Sequence, residues 1–316
     1  MSARRSGTPG AAPGRRHALG VLVAAVLGLG GAGLIPRAAL AACEGVPPEQ
    51  RLQNTAPRDI GRSLDRIRED GYIEFAAYEN FAPWSWEQGG KAQGIDVEIG
   101  RLIASELGVE ARFRLVTPGE MLDADLLNYV YKGAAVGGRV SNVMLHVPYD
   151  VDYACRFDQV VFTGQYATER LAIAYGTADY PEKGPTPPVF RFDPVGVEND
   201  SISDFFLTSV AHGATADKVH RYKTTAAAMA GLAAGEVMAV MGPRAELDAH
   251  LAEGMAVHEP PLLGLARNSW TLGVAISFQH RPLAYAVDDA IAAGLADGRI
   301  PAIFAAHGVD FRAPVR

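Results

Sequence analysis

Few side chains in this sequence stand at spacings that chemistry demands. His146 is followed by Asp150, Asp152 and Asp158, a group with the ligand types for a cation but no spacing that selects one ion; a solvated loop accounts for it as well. His250 near Glu246 and Asp248 reads more simply as the wet face of a helix, and Asp123 and Asp125 as acidic residues at a helix start. No Gly-x-Ser-x-Gly elbow, P-loop or His-Glu-x-x-His motif occurs. Gly28-Leu29-Gly30-Gly31-Ala32-Gly33 matches the dinucleotide fingerprint in form only, because no strand of a βαβ unit precedes it. These residues predict neither an enzyme nor a cofactor or resident metal.

The chain has 316 residues, 48% of them hydrophobic, enough for more than one average domain. Residues 1–41 hold five arginines and no acid, so the remainder carries 24 basic and 36 acidic side chains, a net charge of −12 against −7 for the whole. Such an acidic body argues against nucleic acid as a partner, since phosphate affinity needs clustered Lys and Arg. The N-terminus reads as an export signal: Arg15-Arg16-His17, an apolar run from Ala18 to Ile35, and Ala39-Leu40-Ala41 before a cut at Ala42. The competing reading, a retained membrane anchor, is weakened by the glycines that dilute the run. Leu40-Ala41-Ala42-Cys43 also fits a lipobox, which would make Cys43 a lipidated first residue; the alternative is a Cys43–Cys155 disulfide in an oxidising compartment. Either way the expected location is the periplasm.

The elements that must position any site follow from periodicity. Residues 42–56 read as an irregular lead-in and 60–70 as a short amphipathic helix. Tyr72–Ala77 is predicted as a strand, 79–93 as an aromatic loop, Ile95–Leu107 as a helix closed by Gly108, and Arg112–Val116 as the next strand. Strand, helix and strand in that order make a βαβ unit and a parallel sheet. A helix at 123–131 and strands at 142–147, 160–162 and 170–175 follow, then a Pro-rich excursion at 179–194. The pattern restarts with a strand at 195–197, a helix from Ser203, strands at 219–222 and 237–241 around a helix at 225–234, and ends with a strand at 270–276 and two helices.

Four stretches, in order, resemble the extracellular solute-binding proteins of family 3, the polar-amino-acid type. They are Tyr72–Trp84 with Gly94-Ile95-Asp96; Cys155-Arg156 with Val160, Phe162 and Gln165-Tyr166; Val195-Gly196-Val197 with Asp200-Ser201; and Gly235–Met241 with Leu272–Ala275 and Asp297-Gly298. The resemblance implies an α/β fold of two lobes, the type II periplasmic binding protein fold. Each lobe would be a mainly parallel sheet flanked by helices, and two hinge strands would cross between them. The implied division is 57–167 plus 273–316 for one lobe and 168–272 for the other. It further implies a monomer that closes on a small ligand and hands it to an ABC transporter permease.

Carried over residue by residue, Arg156 falls where the family grips a ligand carboxylate, a task suited to a planar fork of donors. Phe81 falls where an aromatic packs on the ligand, with Trp84 in the same loop, and Ser201 at a helix start that could face an anion. The chain departs from the family at Gly242, where an Asp for an amino group is expected, and at Tyr153, with Tyr149 nearby, where a Thr is expected. With Arg244 close by, these departures predict an anionic organic ligand in place of an amino acid. The same departures resemble the binding-protein-like accessory components of periplasmic PQQ-dependent methanol dehydrogenase systems, whose partner would be the quinoprotein.

Overall fold

A computed structural model describes residues 60–135 and 138–315. The export segment, its lipobox and Cys43 lie outside the described residues. Among the described residues no helix is long and apolar enough to cross a membrane.

The chain begins with α1 (Leu64–Asp70), β1 (Tyr72–Tyr78), the hairpin β2 (Trp86–Gln88) and β3 (Lys91–Gln93), α2 (Ile95–Leu107) and β4 (Glu110–Val116). Next come α3 (Leu122–Leu126), one π-helical turn at Leu127–Tyr131, β5 (Val143–Tyr149), α4 (Val151–Ala154) and the long β6 (Val160–Gly176). Then follow β7 (Val195–Glu198), α5 (Ile202–Ser209), β8 (Val219–Tyr222), α6 (Thr225–Ala233), β9 (Ala239–Pro243), α7 (Arg244–Asp248) and β10 (Met255–His258). The chain ends with β11 (Ser269–Ser277), α8 (Arg281–Ala296) and α9 (Arg299–Ala306).

Helix limits follow local chemistry. Ser63 accepts the Arg66 N–H at the start of α1, and Gly71 and Gly108 take left-handed conformations that close α1 and α2. The buried stripe of α2, Ile95, Ile99, Leu102 and Ile103, lies against the sheet core with Phe75, Trp84, Leu283 and Ile291.

The sheet order is β4-β1-β5-β11-β6-β9-β7-β8, with β10 added to β6. β1 runs parallel to β4 and β5, and β7 parallel to β8 and β9. β6 joins the two groups: its residues 160–170 pair with β11, and Leu171–Tyr175 pair with β9. What periodicity divides into strands at 160–162 and 170–175 is thus one strand of 17 residues. The polar stretch between them is the passage from one lobe to the other, where neighbours change on both faces. The second lobe has its own core of Ile173, Phe190, Val195, Leu207 and Met241. The Pro-rich excursion contributes to it: a 3-10 turn at Pro187–Arg191 carries the fully buried Phe190.

The outer side of the crossing is clamped by charge. Arg170 donates to Glu259 and Asp310, each at 2.6 Å, and Arg244 to Asp248 at 2.7 Å and Glu259 at 3.2 Å. Both arginines are thereby committed away from the inner face.

Candidate functional site

The inner face is built from β-bulges. Between Gly273 and Ala275 of β11 the register with β5 shifts, setting Leu145 and His146 against Val274, and between Leu272 and Val274 the register with β6 shifts, setting residues 164–166 against Gly273. His146 takes φ 59° and Gly164 φ 58°, left-handed conformations that re-aim the side chains nearby. Gly273 permits this, because a Cβ there would stand 2.7 Å from the Thr163 carbonyl oxygen.

The bulges bring His146 and Tyr166 to the fully buried Asp96 at the start of α2. Tyr166 donates its hydroxyl to Oδ1 at 2.7 Å, and His146 Nδ1 lies 3.0 Å from Oδ2. Burial and the neighbouring Asp96 hold the Tyr166 phenol well above its usual range. The imidazole is wedged edge-on against Phe81 and Trp84, with centroids 4.9 and 4.5 Å away. With Nδ1 directed at Asp96, Nε2 is left for a ligand.

The second lobe presents acids. Glu198, at the end of β7, accepts from the Thr225 N–H and hydroxyl on the same oxygen, each at 2.9 Å. Glu246 on α7 is 8% exposed; burial pushes its carboxyl up to about 8, opposed by Thr225 and reinforced by Glu198 and Glu169. Glu169, at the crossing on β6, is 4% exposed and pushed up to about 7 by burial, against the lowering effects of the Arg170 amide and His146. Its Oε2 meets no donor.

Between these walls lies a cavity of about 560 Å³, lined from the first lobe by Tyr78, Glu79, Phe81, Glu120, Met121, Asp125, His146 and Pro148, and from the second by Glu198, Thr224, Ala226 and Glu246. A smaller cavity of about 230 Å³ continues past Phe81, Glu198 and Glu246 to Ser201, Thr225, Gly242 and Trp270. Five carboxylates line the larger cavity, and among the described residues no Lys or Arg lines either.

Of the residues singled out from sequence, Phe81, Ser201 and Gly242 meet at these cavities. Ser201 is also the N-cap of α5, accepting the Asp204 N–H. The other five lie elsewhere. Trp84 is 1% exposed and packs in the first-lobe core against Phe304, where its large apolar surface is best buried. Arg156 is exposed, 5.6 Å over the Tyr153 ring, and Arg244 belongs to the outer clamp. Tyr153 donates to Asp123 at 2.6 Å and stacks near Phe157, and Tyr149 lines neither cavity. The grouping of His146 with Asp150, Asp152 and Asp158 is not formed: Asp150 caps α4 and pairs with Arg267, and no cluster suited to a metal occurs among the described residues. Cys155 is buried and is not a free thiol. Asp96 and Tyr166 stand inside the motif stretches but show no sign there of their contact, Glu246 is buried where the sequence predicts a wet helix face, and Glu169, Glu198 and Glu246 come together only through the tertiary fold.

No family model matches the chain, and no curated protein does. Solved structures do. An ancestral cationic amino acid solute-binding protein matches with TM-score 0.64 at 17% identity, over 78% of this chain and 99% of that one. An amino acid ABC transporter substrate-binding protein from Streptococcus pneumoniae, bound to L-arginine, matches with TM-score 0.57 at 16% identity, over 80% and 100%. A solute receptor for L-cysteine of Neisseria gonorrhoeae matches with TM-score 0.52 at 20% identity, over 78% and 93%. None of these three is described as a dehydrogenase accessory. At such identities the likeness establishes the fold, and this chain has the two-lobed α/β fold of the solute-binding proteins.

Proposed function

We propose that this protein is a periplasmic solute receptor for an ABC importer, and that it captures a small organic cation between its lobes. The observation that carries the reading is the charge of the cleft: five carboxyl groups and the rings of Tyr78 and Phe81 face the larger cavity, and no Lys or Arg of the described residues does. An anion placed there would lose its hydration and meet like charge on both walls. The placement of Arg156 and Arg244 therefore turns the expected anionic ligand into a cationic one. Two of the matched structures are described in terms of cationic amino acids, which agrees with a cleft of this sign in this fold.

Thermal unfolding against a panel of amines, amino acids and dicarboxylates tests this. A ligand at 100 times its dissociation constant adds about 2.7 kcal/mol of stability. The expected result is a shift with amines that Glu198→Gln diminishes; a shift with dicarboxylates alone would reverse the assignment. A second reading, acid–base catalysis, is favoured by one feature, the His146 imidazole oriented by a buried carboxylate at a ligand cavity. Conversion of the bound amine over hours, followed by proton NMR, would distinguish turnover from capture.

A further inference from the structure

Among the described residues, Glu169, Glu198 and Glu246 form no ion pair, although the charges of His146 and Arg170 reach Glu169. Glu198 and Glu246 line both cavities together with Phe81, and Glu169 stands close enough to Glu246 for their charges to interact. The arginines adjacent to them in sequence, Arg170 and Arg244, are spent on Glu259, Asp310 and Asp248 at the outer clamp. Glu169 lines neither cavity but stands behind Glu246, and its Oε2 is buried without a donor, an arrangement costly for a polar atom. Both bonds from Thr225 fall on Glu198 Oε2, so Oε1 is left to a ligand.

We propose that Glu198 and Glu246, backed by Glu169, form a subsite for a primary ammonium group, which enters in exchange for one proton held by the cluster, and that the captured solute is an amine lacking a carboxylate. This rests on the reading of the cleft as a cation receptor. An ammonium brings N–H donors to Glu198 Oε1 and the Glu246 carboxyl, and a positive charge to a group of like charges. The aromatic face of Phe81 suits the adjoining methylenes. No guanidinium or ammonium of the described residues lines the cavities on the second lobe, so a carboxylate on the same solute would find only the uncharged Ser201, Ser203, Thr224 and Thr225 beside the acids. The groups facing the exchanging proton are Glu198, Glu169 and Thr225 around Glu246, and His146, Tyr166, the Arg170 guanidinium and the Arg170 and Ala245 amides around Glu169. Burial pushes both glutamates up, to about 7 for Glu169 and about 8 for Glu246, which agrees with a proton being present near neutral pH. Charge balances: one cation arrives, one proton leaves to the buffer, and the cavity keeps its net charge.

The test is titration calorimetry of the wild-type protein at pH 7 with agmatine, putrescine and phenethylamine, each in phosphate and in Tris. The two buffers differ in ionisation enthalpy, so the difference in heat counts protons. The expected result is release of about one proton per amine bound, and for Glu246→Gln an affinity reduced about tenfold or more with no proton released. Amine binding without proton release, with Glu246→Gln binding as wild type does, would overturn the subsite and leave the cation receptor standing. Binding of carboxylates and of no amine would overturn both. The wild-type proton count decides even if the variant folds poorly.

Discussion

Ligand-free protein is expected to lose stability as pH rises from about 4.5 to about 8, and Glu246→Gln is expected to remove most of that loss. Below the ordinary carboxyl range both folded and unfolded chains hold the Glu246 proton, so the group contributes no difference. Above it the unfolded chain releases the proton while the folded one, with its carboxyl pushed up to about 8, retains it. The folded state then binds more protons, and unfolding free energy falls by about 1.4 kcal/mol per pH unit until the folded group also ionises. Across the window this amounts to something on the order of 5 kcal/mol. Glu169, pushed up to about 7, adds in the same direction over the lower part of the window. His258, lowered by burial, acts oppositely, so the variant-to-wild-type difference is the quantity to follow. Urea unfolding at pH 5, 6.5 and 8 should show the two proteins alike at pH 5 and the variant more stable at pH 8. Parallel curves would show that Glu246 does not carry the cleft's proton.

The second large effect is expected at Gly94, far in sequence from Glu169 and Glu246. Gly94 starts α2 at φ 117°, and a Cβ there would lie 2.2 Å from the Trp84 carbonyl oxygen. That oxygen accepts the Asp96 N–H at 3.0 Å, so one contact sets both the packing of Trp84 and the position of the carboxylate that orients His146. Gly94→Ala combines an unfavourable φ with an overlap against backbone that has no rotamer to escape into. The expected loss is about 3–5 kcal/mol, measured by urea unfolding. Gly89→Ala is the natural comparison, since its φ is also positive but nothing lies within 4 Å of its Cβ. Equal losses in the two would assign the effect to φ alone.

Much of the fold is legible because it is written locally. The apolar spacing of 95–107 closed by Gly108 gives the observed helix, and alternation gives β1 and β4 to within a few residues. The hairpin β2–β3 hides in an aromatic loop because its strands are three residues each; the Gly89-Gly90 pair, both at positive φ, was its only signal. The long β6 hides because bulges interrupt its alternation where it leaves one lobe for the other. The cleft is legible only where a residue type is enough, as with Phe81. Arg156 has the spacing of a ligand arginine, but spacing does not state which way a side chain faces, and the helical turn α4 leaves it in solvent. His146 has acids nearby in sequence, yet its partner is Asp96, fifty residues earlier and across the sheet. The sign of the cleft's charge emerges from acids just after β1, just before and on α3, and on β7 and α7, and no local pattern unites them.

An amine receptor is separated from an amino acid receptor by the ratio of dissociation constants for a solute and its decarboxylated counterpart, agmatine against arginine and putrescine against ornithine, by calorimetry at pH 7. A cleft of carboxylates without a guanidinium predicts that each amine binds at least about tenfold tighter than its amino acid, the equivalent of about 1.4 kcal/mol. Tighter binding of the amino acids would mean that a carboxylate finds a partner in the closed cleft, and would contradict the account.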